Sequence, residues 1–130
     1  RRVSGRFVVV RGYTLEFRSW NDEGEVLVST SDTRTAQALG LSLTDRGFYA
    51  TWVPRSEIQD SFWVGVRGEI GGMKVGVHEE SDTEYLIHAE QELSNVPWQL
   101  TRIDQHVWQG TVPKSAVTNL SREVRALPLP

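Results

Sequence analysis

Two stretches of this sequence resemble each other closely enough to indicate an internal repeat. Residues 53–56 read Val-Pro-Arg-Ser and residues 112–115 read Val-Pro-Lys-Ser, and both follow an apolar, aromatic-containing run. The two stretches are 59 positions apart, and the same interval separates Glu25 from Glu84. Similarity at a fixed spacing indicates a fold built from copies of one structural unit. The sequence therefore predicts a tandem duplication.

The repeat also predicts where each unit begins and ends. Residues 10–12 and 66–68 both read Val-Arg-Gly, but they are only 56 positions apart. Three further residues, 69–71, are therefore expected to lengthen a turn in the second unit. The predicted boundaries within a single 130-residue domain are residues 6–60 for the first unit, 61–120 for the second and 121–130 for a C-terminal tail.

Within each unit the pattern predicts two hairpins followed by a helical turn. Residues 13–18 alternate between apolar and polar side chains, which is typical of a half-buried strand. Pro54 has no N–H donor, so it ends the last strand, and Ser56 suits the start of a helical turn.

The crossover between the two hairpins, residues 31–40, has two readings. It is either a short helix, with Asp32 as N-cap and Gly40 as terminator, or an irregular connection. The corresponding residues of the second unit, 89–95, favour the helix.

A unit with few strands and one apolar face needs a second face to pack against. The predicted fold class is therefore mainly β, with two tandem similar units packed as a pseudo-two-fold sandwich or half-barrel. Short helical turns complete it.

Composition narrows the possible functions. The chain has no cysteine, which excludes disulfides and thiol chemistry and fits a cytoplasmic location. Its net charge of −3 argues against nucleic acid as a partner, and no apolar run is long enough to span a membrane. The chain does not begin with Met, so a structural module cut from a larger protein is one possible reading.

No residue pattern points to catalysis, a cofactor or a metal. Phosphate-binding, dinucleotide-binding and serine-hydrolase motifs are missing from the sequence. The three histidines, His78, His88 and His106, are interpreted as strand and turn residues rather than ligands. We expect a non-enzymatic protein, and a hydrolase or isomerase with a dispersed site is the lower-ranked alternative.

Charge and aromatic residues suggest a protein-binding surface. The two predicted hairpin tips are both acidic, and an acidic edge steers basic partners. Trp52 alternates with Val53 and is expected either to face outward, where tryptophan favours interfaces, or to pack under the helical turn of residues 55–58. The candidate partner-binding residues are Asp22, Glu23, Glu79, Glu80, Asp82 and Trp52.

A second hypothesis is a small-molecule-binding protein with a cavity between the two repeats. Its candidate lining residues are aromatic side chains on the apolar faces of the predicted strands. They are Tyr13, Phe17, Tyr49 and Trp108.

The run from Tyr49 to Ile58, with Val53-Pro54-Arg55-Ser56-Glu57 at its centre, resembles a motif of small actinobacterial immunity proteins of polymorphic toxin systems. The resemblance covers residues 25–60 best. It implies a β-rich, cytoplasmic bacterial protein without catalytic residues. Such a protein would neutralise a cognate toxin enzyme by occluding its active site. The repeat itself predicts a monomer, since an internal pseudo-dimer needs no second chain, or a weak dimer formed through exposed edge strands.

Overall fold

The computed structural model describes all residues from Arg1 to Pro130 and is mainly β, with 58% of residues in strands and 10% in helical segments. The predicted mainly-β class is confirmed. The strands are β1 (Gly5–Val10), β2 (Tyr13–Trp20), β3 (Glu25–Thr30), β4 (Ser42–Leu43), β5 (Tyr49–Pro54), β6 (Ile58–Ile70), β7 (Met73–Glu80), β8 (Glu84–Ala89), β9 (Thr101–Asp104), β10 (Val107–Pro113) and β11 (Thr118–Ala126). The helical segments are α1 (Thr33–Leu39) and two 3-10 turns, Arg55–Glu57 and Lys114–Ala116.

The residues form two compact units. The N-terminal unit comprises Arg6–Trp63 and Val124–Pro130, and the C-terminal unit comprises Val64–Glu123 and Arg1–Gly5. These bounds differ from the predicted 6–60 and 61–120, because β6 and β11 each contribute residues to both units.

In the N-terminal unit, neighbouring strands follow the order β4-β5-β3-β2-β1, with β6 beside β1. The sheet is antiparallel. Alternate positions along these strands supply the core, and each buried aliphatic side chain contributes about 1.5–3 kcal/mol relative to exposure. The core side chains are Val8, Val10, Leu15, Val26, Val28, Val53 and Ile58.

Residues 31–40 adopt the helical alternative. The Asp32 carboxylate accepts a hydrogen bond from the Thr35 amide at 3.0 Å, which caps α1. Gly40 ends the helix in the left-handed region, with φ of 68°. Leu39 packs against the core of the N-terminal unit.

In the C-terminal unit the order is β6-β7-β8-β10-β9, again antiparallel. The first residues of the chain run along β7, where the Val3 amide donates to the His78 carbonyl at 2.8 Å. The core side chains of this unit are Ile70, Val75, Val77, Ile87, Ala89, Leu93, Val112 and Val117.

The two units share strand order and register. The second strand of each unit contains a bulge residue without a partner in the strand pairing, Arg18 in β2 and His78 in β7. The pairing of β3 with β5 matches the pairing of β8 with β10. Glu25–Pro54 corresponds to Glu84–Pro113, and Val28–Thr51 corresponds to Ile87–Gly110. This agreement is what a tandem repeat predicts. The duplication itself, and its packing as a sandwich or half-barrel, stay predictions.

The predicted lengthened turn at residues 69–71 is wrong. Strand β6 continues through these positions to Ile70, and the turn is the two-residue Gly71-Gly72, with φ of 57° and 81°. The turn after β1 has the same conformation, with Arg11 at 50° and Gly12 at 81°. Positive φ at both central residues is the type I′ geometry that suits a tight hairpin. The Val-Arg-Gly match was therefore not between equivalent positions.

The helix favoured for residues 89–95 is also absent, because that connection is irregular. Gly110 of β10 explains the difference. A Cβ at Gly110 would lie 3.1 Å from the Gln99 carbonyl oxygen and closer still to the Leu100 side chain. The connection thus lies directly on the sheet in the C-terminal unit. The equivalent position in the N-terminal unit is Thr51, and there the crossover is α1.

The predicted tail, residues 121–130, is a strand over most of its length. Strand β11 pairs with β6 and extends to Ala126. The Leu127 amide then donates to the Ser61 carbonyl at 2.9 Å. Unsatisfied backbone donors and acceptors along β6 account for this pairing, which the side-chain pattern did not reveal.

Candidate binding groove

A groove of about 280 Å³ lies within the N-terminal unit. Its residues come from the end of β2, the start of β1, the 3-10 turn after β5 and the segment after β11. They are Arg6, Trp20, Arg55, Leu127, Pro128, Leu129 and Pro130. Two cations, an indole and aliphatic side chains thus line one concave surface.

The bulge in β2 places Trp20 in this groove. Strict alternation puts residues 17 and 20 on opposite faces of a strand. The extra residue, Arg18, reverses that alternation, so Phe17 pairs with Val28 and Trp20 with Val26, on the same face. The Phe17 and Trp20 ring centroids are 5.6 Å apart, and 59% of Trp20 remains exposed.

Arg6 lines the groove with a side chain that is held in place by three contacts. Its Nε donates to Ser61 Oγ and its Nη2 donates to the Pro128 carbonyl, both at 3.1 Å. The guanidinium also lies 4.5 Å from the centroid of the Phe17 ring, a cation–π contact. These contacts hold residues 127–130 against the sheet.

Arg55 differs from Arg6 because its side chain has no hydrogen-bond or ion-pair partner. Its equivalent in the C-terminal unit, Lys114, lies 3.2 Å from the Glu80 carboxylate. Glu80 pairs with Tyr85 just as Trp20 pairs with Val26, so Trp20 stands where the C-terminal unit has its carboxylate. The groove therefore contains a cation whose expected counterion has been replaced by an indole.

The predicted acidic residues have different surroundings. Asp22 and Glu23 are exposed in the turn after β2, and Glu79 and Asp82 are exposed around the turn after β7. Glu80 is half-buried and pairs with Lys114 and with Arg1, the latter at 3.4 Å. The two cations compensate its negative charge, so Glu80 is the least available of these carboxylates.

Trp52 is 43% exposed and pairs with Leu27, on the opposite face of β5 from the buried Val53. It does not line the groove. Trp20 and Trp52 thus expose two indoles on different faces of the N-terminal unit.

The four candidate cavity residues are distributed over both units. Tyr13 is 40% exposed, Phe17 packs against the core, and the Tyr49 hydroxyl lies 3.5 Å from Thr33 Oγ1. Trp108 belongs to the C-terminal unit, where the Arg102 guanidinium lies 5.6 Å from its ring. The core of the N-terminal unit encloses a void of only about 20 Å³, room for about one water molecule.

Two of the histidines form a pair on the C-terminal unit. The His78 and His88 ring centroids are 3.8 Å apart, and His88 Nε2 lies 2.8 Å from Gln109 Oε1. Burial, followed by the positive charge of His88, lowers the pKa of His78, while Glu79 opposes the shift. His88 is therefore oriented by a neutral amide instead of the carboxylate that typically supports a catalytic histidine. No group of three or more His, Asp or Glu side chains is arranged to hold a metal ion.

Sequence reasoning missed the residues of the groove. Trp20 carried no signal, because the bulges that set it against Glu80 are visible only in the strand pairing. The contribution of residues 127–130 carried none, because it depends on a strand pairing more than sixty residues away in sequence.

Comparison with known families gives one match. Residues 53–128, more than half of the chain, match the model of the family described as uncharacterised conserved protein UCP033725. The chain belongs to this family. The matched range includes Arg55, Leu127 and Pro128 of the groove, whereas Arg6 and Trp20 precede it.

Searches of curated proteins and of solved structures found no match. None of the helices in the structure has the length and apolar character needed to cross a membrane.

Proposed function

We propose that this chain is a non-catalytic protein-binding module. The observation that carries the proposal is Trp20, which is 59% exposed beside an unpaired arginine in a preformed groove. Tryptophan and arginine are the side chains most enriched at the energetic centres of protein interfaces. The Trp20 indole is exposed to water in the free protein. Burying it against a partner would contribute favourable free energy to binding.

The narrower proposal is that the partner is a toxin enzyme, and that the chain acts as its cytoplasmic immunity protein. The motif from Tyr49 to Ile58 supports it by resemblance. Exposed carboxylates support it as well, Asp22 and Glu23 in the N-terminal unit and Glu79 and Asp82 in the C-terminal unit, since an acidic turn attracts a basic enzyme surface and raises the association rate. Trp52 is the candidate anchor on the other face.

The test is affinity capture with the purified chain from cells and culture medium of the source organism, at low and high salt. We expect one stoichiometric partner with an enzymatic domain whose activity falls when the complex forms. Association should slow when Asp22 and Glu23 are both changed to Lys. The matched control is Asp45→Lys, an exposed acid in the turn before β5. Capture of no partner at either salt contradicts the binding function. A partner without enzymatic activity contradicts only the immunity role.

A further inference from the structure

We infer that the groove binds an apolar segment of a partner protein that carries a single carboxylate, with Arg55 as the residue that pairs with it. The inference deepens the proposed binding function and rests on it. It names the part of the partner that enters the N-terminal unit.

The charge of the occupant follows from comparing equivalent residues. In the C-terminal unit, the cation after the last strand is neutralised by a carboxylate of its own chain, with Lys114 and Glu80 3.2 Å apart. In the N-terminal unit the equivalent cation, Arg55, has no such partner. The acids closest to it in strand pairing and sequence make other contacts instead: Glu57 pairs with Arg11, and Glu25 accepts a hydrogen bond from Asn21. A carboxylate from outside would complete the pair.

The occupant should bear one carboxylate and not a polyanion. Arg6 already donates from Nε to Ser61 and from Nη2 to Pro128, whereas the Arg55 side chain has no hydrogen-bond or ion-pair partner, so Arg55 is the groove cation most available to a ligand carboxylate. Asp22 and Glu23 are exposed in the turn that follows Trp20, and they would repel a nucleic acid or polyphosphate.

The rest of the occupant should be apolar. Leu127, Pro128, Leu129 and Pro130 line the groove together with the Trp20 indole. Leu129 is 56% exposed and Trp20 is 59% exposed, so both have apolar surface to bury. A volume of about 280 Å³ lies just below the roughly 300–1,000 Å³ of typical small-molecule pockets, which suits a few side chains of a peptide.

The experiment is selection of a phage-displayed library of random peptides on the immobilised chain, followed by binding measurements with the enriched peptides. We expect enrichment of one Asp or Glu flanked by large apolar residues. Arg55→Gln should weaken binding of such a peptide about tenfold, and changing the peptide's acid to its amide should do the same. Trp20→Glu should abolish binding, because it supplies Arg55 with an internal carboxylate. The matched control is Arg46→Gln, an exposed arginine in the turn before β5.

Several results overturn the inference. They are enrichment without an acidic residue, no enrichment at all, or equal binding to wild type and Trp20→Glu. If no peptide is enriched but millimolar 3-phenylpropionate shifts the Trp20 indole resonance, the occupant is a small carboxylate. If the peptide experiment fails but a partner protein is still captured, the chain binds that partner through a different surface.

Discussion

Gly110 lies so close to Gln99 that a Cβ on the glycine would stand 3.1 Å from the Gln99 carbonyl oxygen. The irregular connection of the C-terminal unit is pressed onto β10 at this point. Adding a methyl group must displace that connection or the Leu100 side chain.

We predict that Gly110→Ala lowers the free energy of unfolding by about 1–3 kcal/mol, the usual cost of overpacking. Urea unfolding followed by circular dichroism measures it. Thr51→Ala, at the equivalent position in the N-terminal unit, is the matched control and should have the smaller effect. Equal stability of Gly110→Ala and wild type would show that the connection does not press on the sheet.

The turn after β1 offers a stabilising substitution. Arg11 adopts a φ of 50°, a left-handed conformation that costs a non-glycine residue about 1–3 kcal/mol and that asparagine tolerates better. Its ion pair with Glu57, at 3.6 Å, is exposed and worth about 0–1 kcal/mol. We therefore expect Arg11→Asn to raise the free energy of unfolding by about 1 kcal/mol.

Arg67→Asn is the control for that substitution, because the sequence alignment had equated Arg67 with Arg11. In the structure Arg67 is an exposed strand residue of β6, where asparagine is disfavoured. Stabilisation by both substitutions would mean that the turn of the C-terminal unit lies at Arg67 after all.

The histidine pair predicts how stability depends on pH. Burial and His88 lower the pKa of His78, so the unfolded chain binds a proton at His78 more readily than the folded chain does. The unfolding free energy is therefore unaffected by His78 above the ordinary histidine pKa of 6.5, and it falls progressively as pH drops from that value through the lowered pKa of the folded state. His78→Gln should flatten the decline in unfolding free energy between neutral and mildly acidic pH. His106→Gln, at an exposed turn, should leave it unchanged. A slope unaffected by His78→Gln contradicts the assignment.

Much of the fold was predictable from sequence because local signals agreed with it. Pro54 and Pro113 end their strands, and Asp32 and Gly40 bound a helix, each by a mechanism that acts within a few residues. The crossover of the C-terminal unit was not predictable, because its path depends on a tertiary contact with Gly110 of β10.

The groove failed to appear in sequence reasoning for a similar reason. A one-residue bulge at Arg18 moves Trp20 to the face of Phe17, whereas simple alternation places it on the other. The sequence also predicted Glu80 and Glu79 equally as partner-binding residues, although Glu80 already has two cationic partners in the structure. Which charges are paired is a property of the folded chain.

The most direct test of the binding account is the affinity of the captured partner for wild type and for Trp20→Glu, measured by calorimetry. If the partner docks in the groove, Trp20→Glu should weaken its affinity about tenfold or more, and Lys114→Gln, which alters the equivalent cation of the C-terminal unit, should leave it unchanged. Equal affinities for wild type and Trp20→Glu would contradict the claim that the partner docks in this groove.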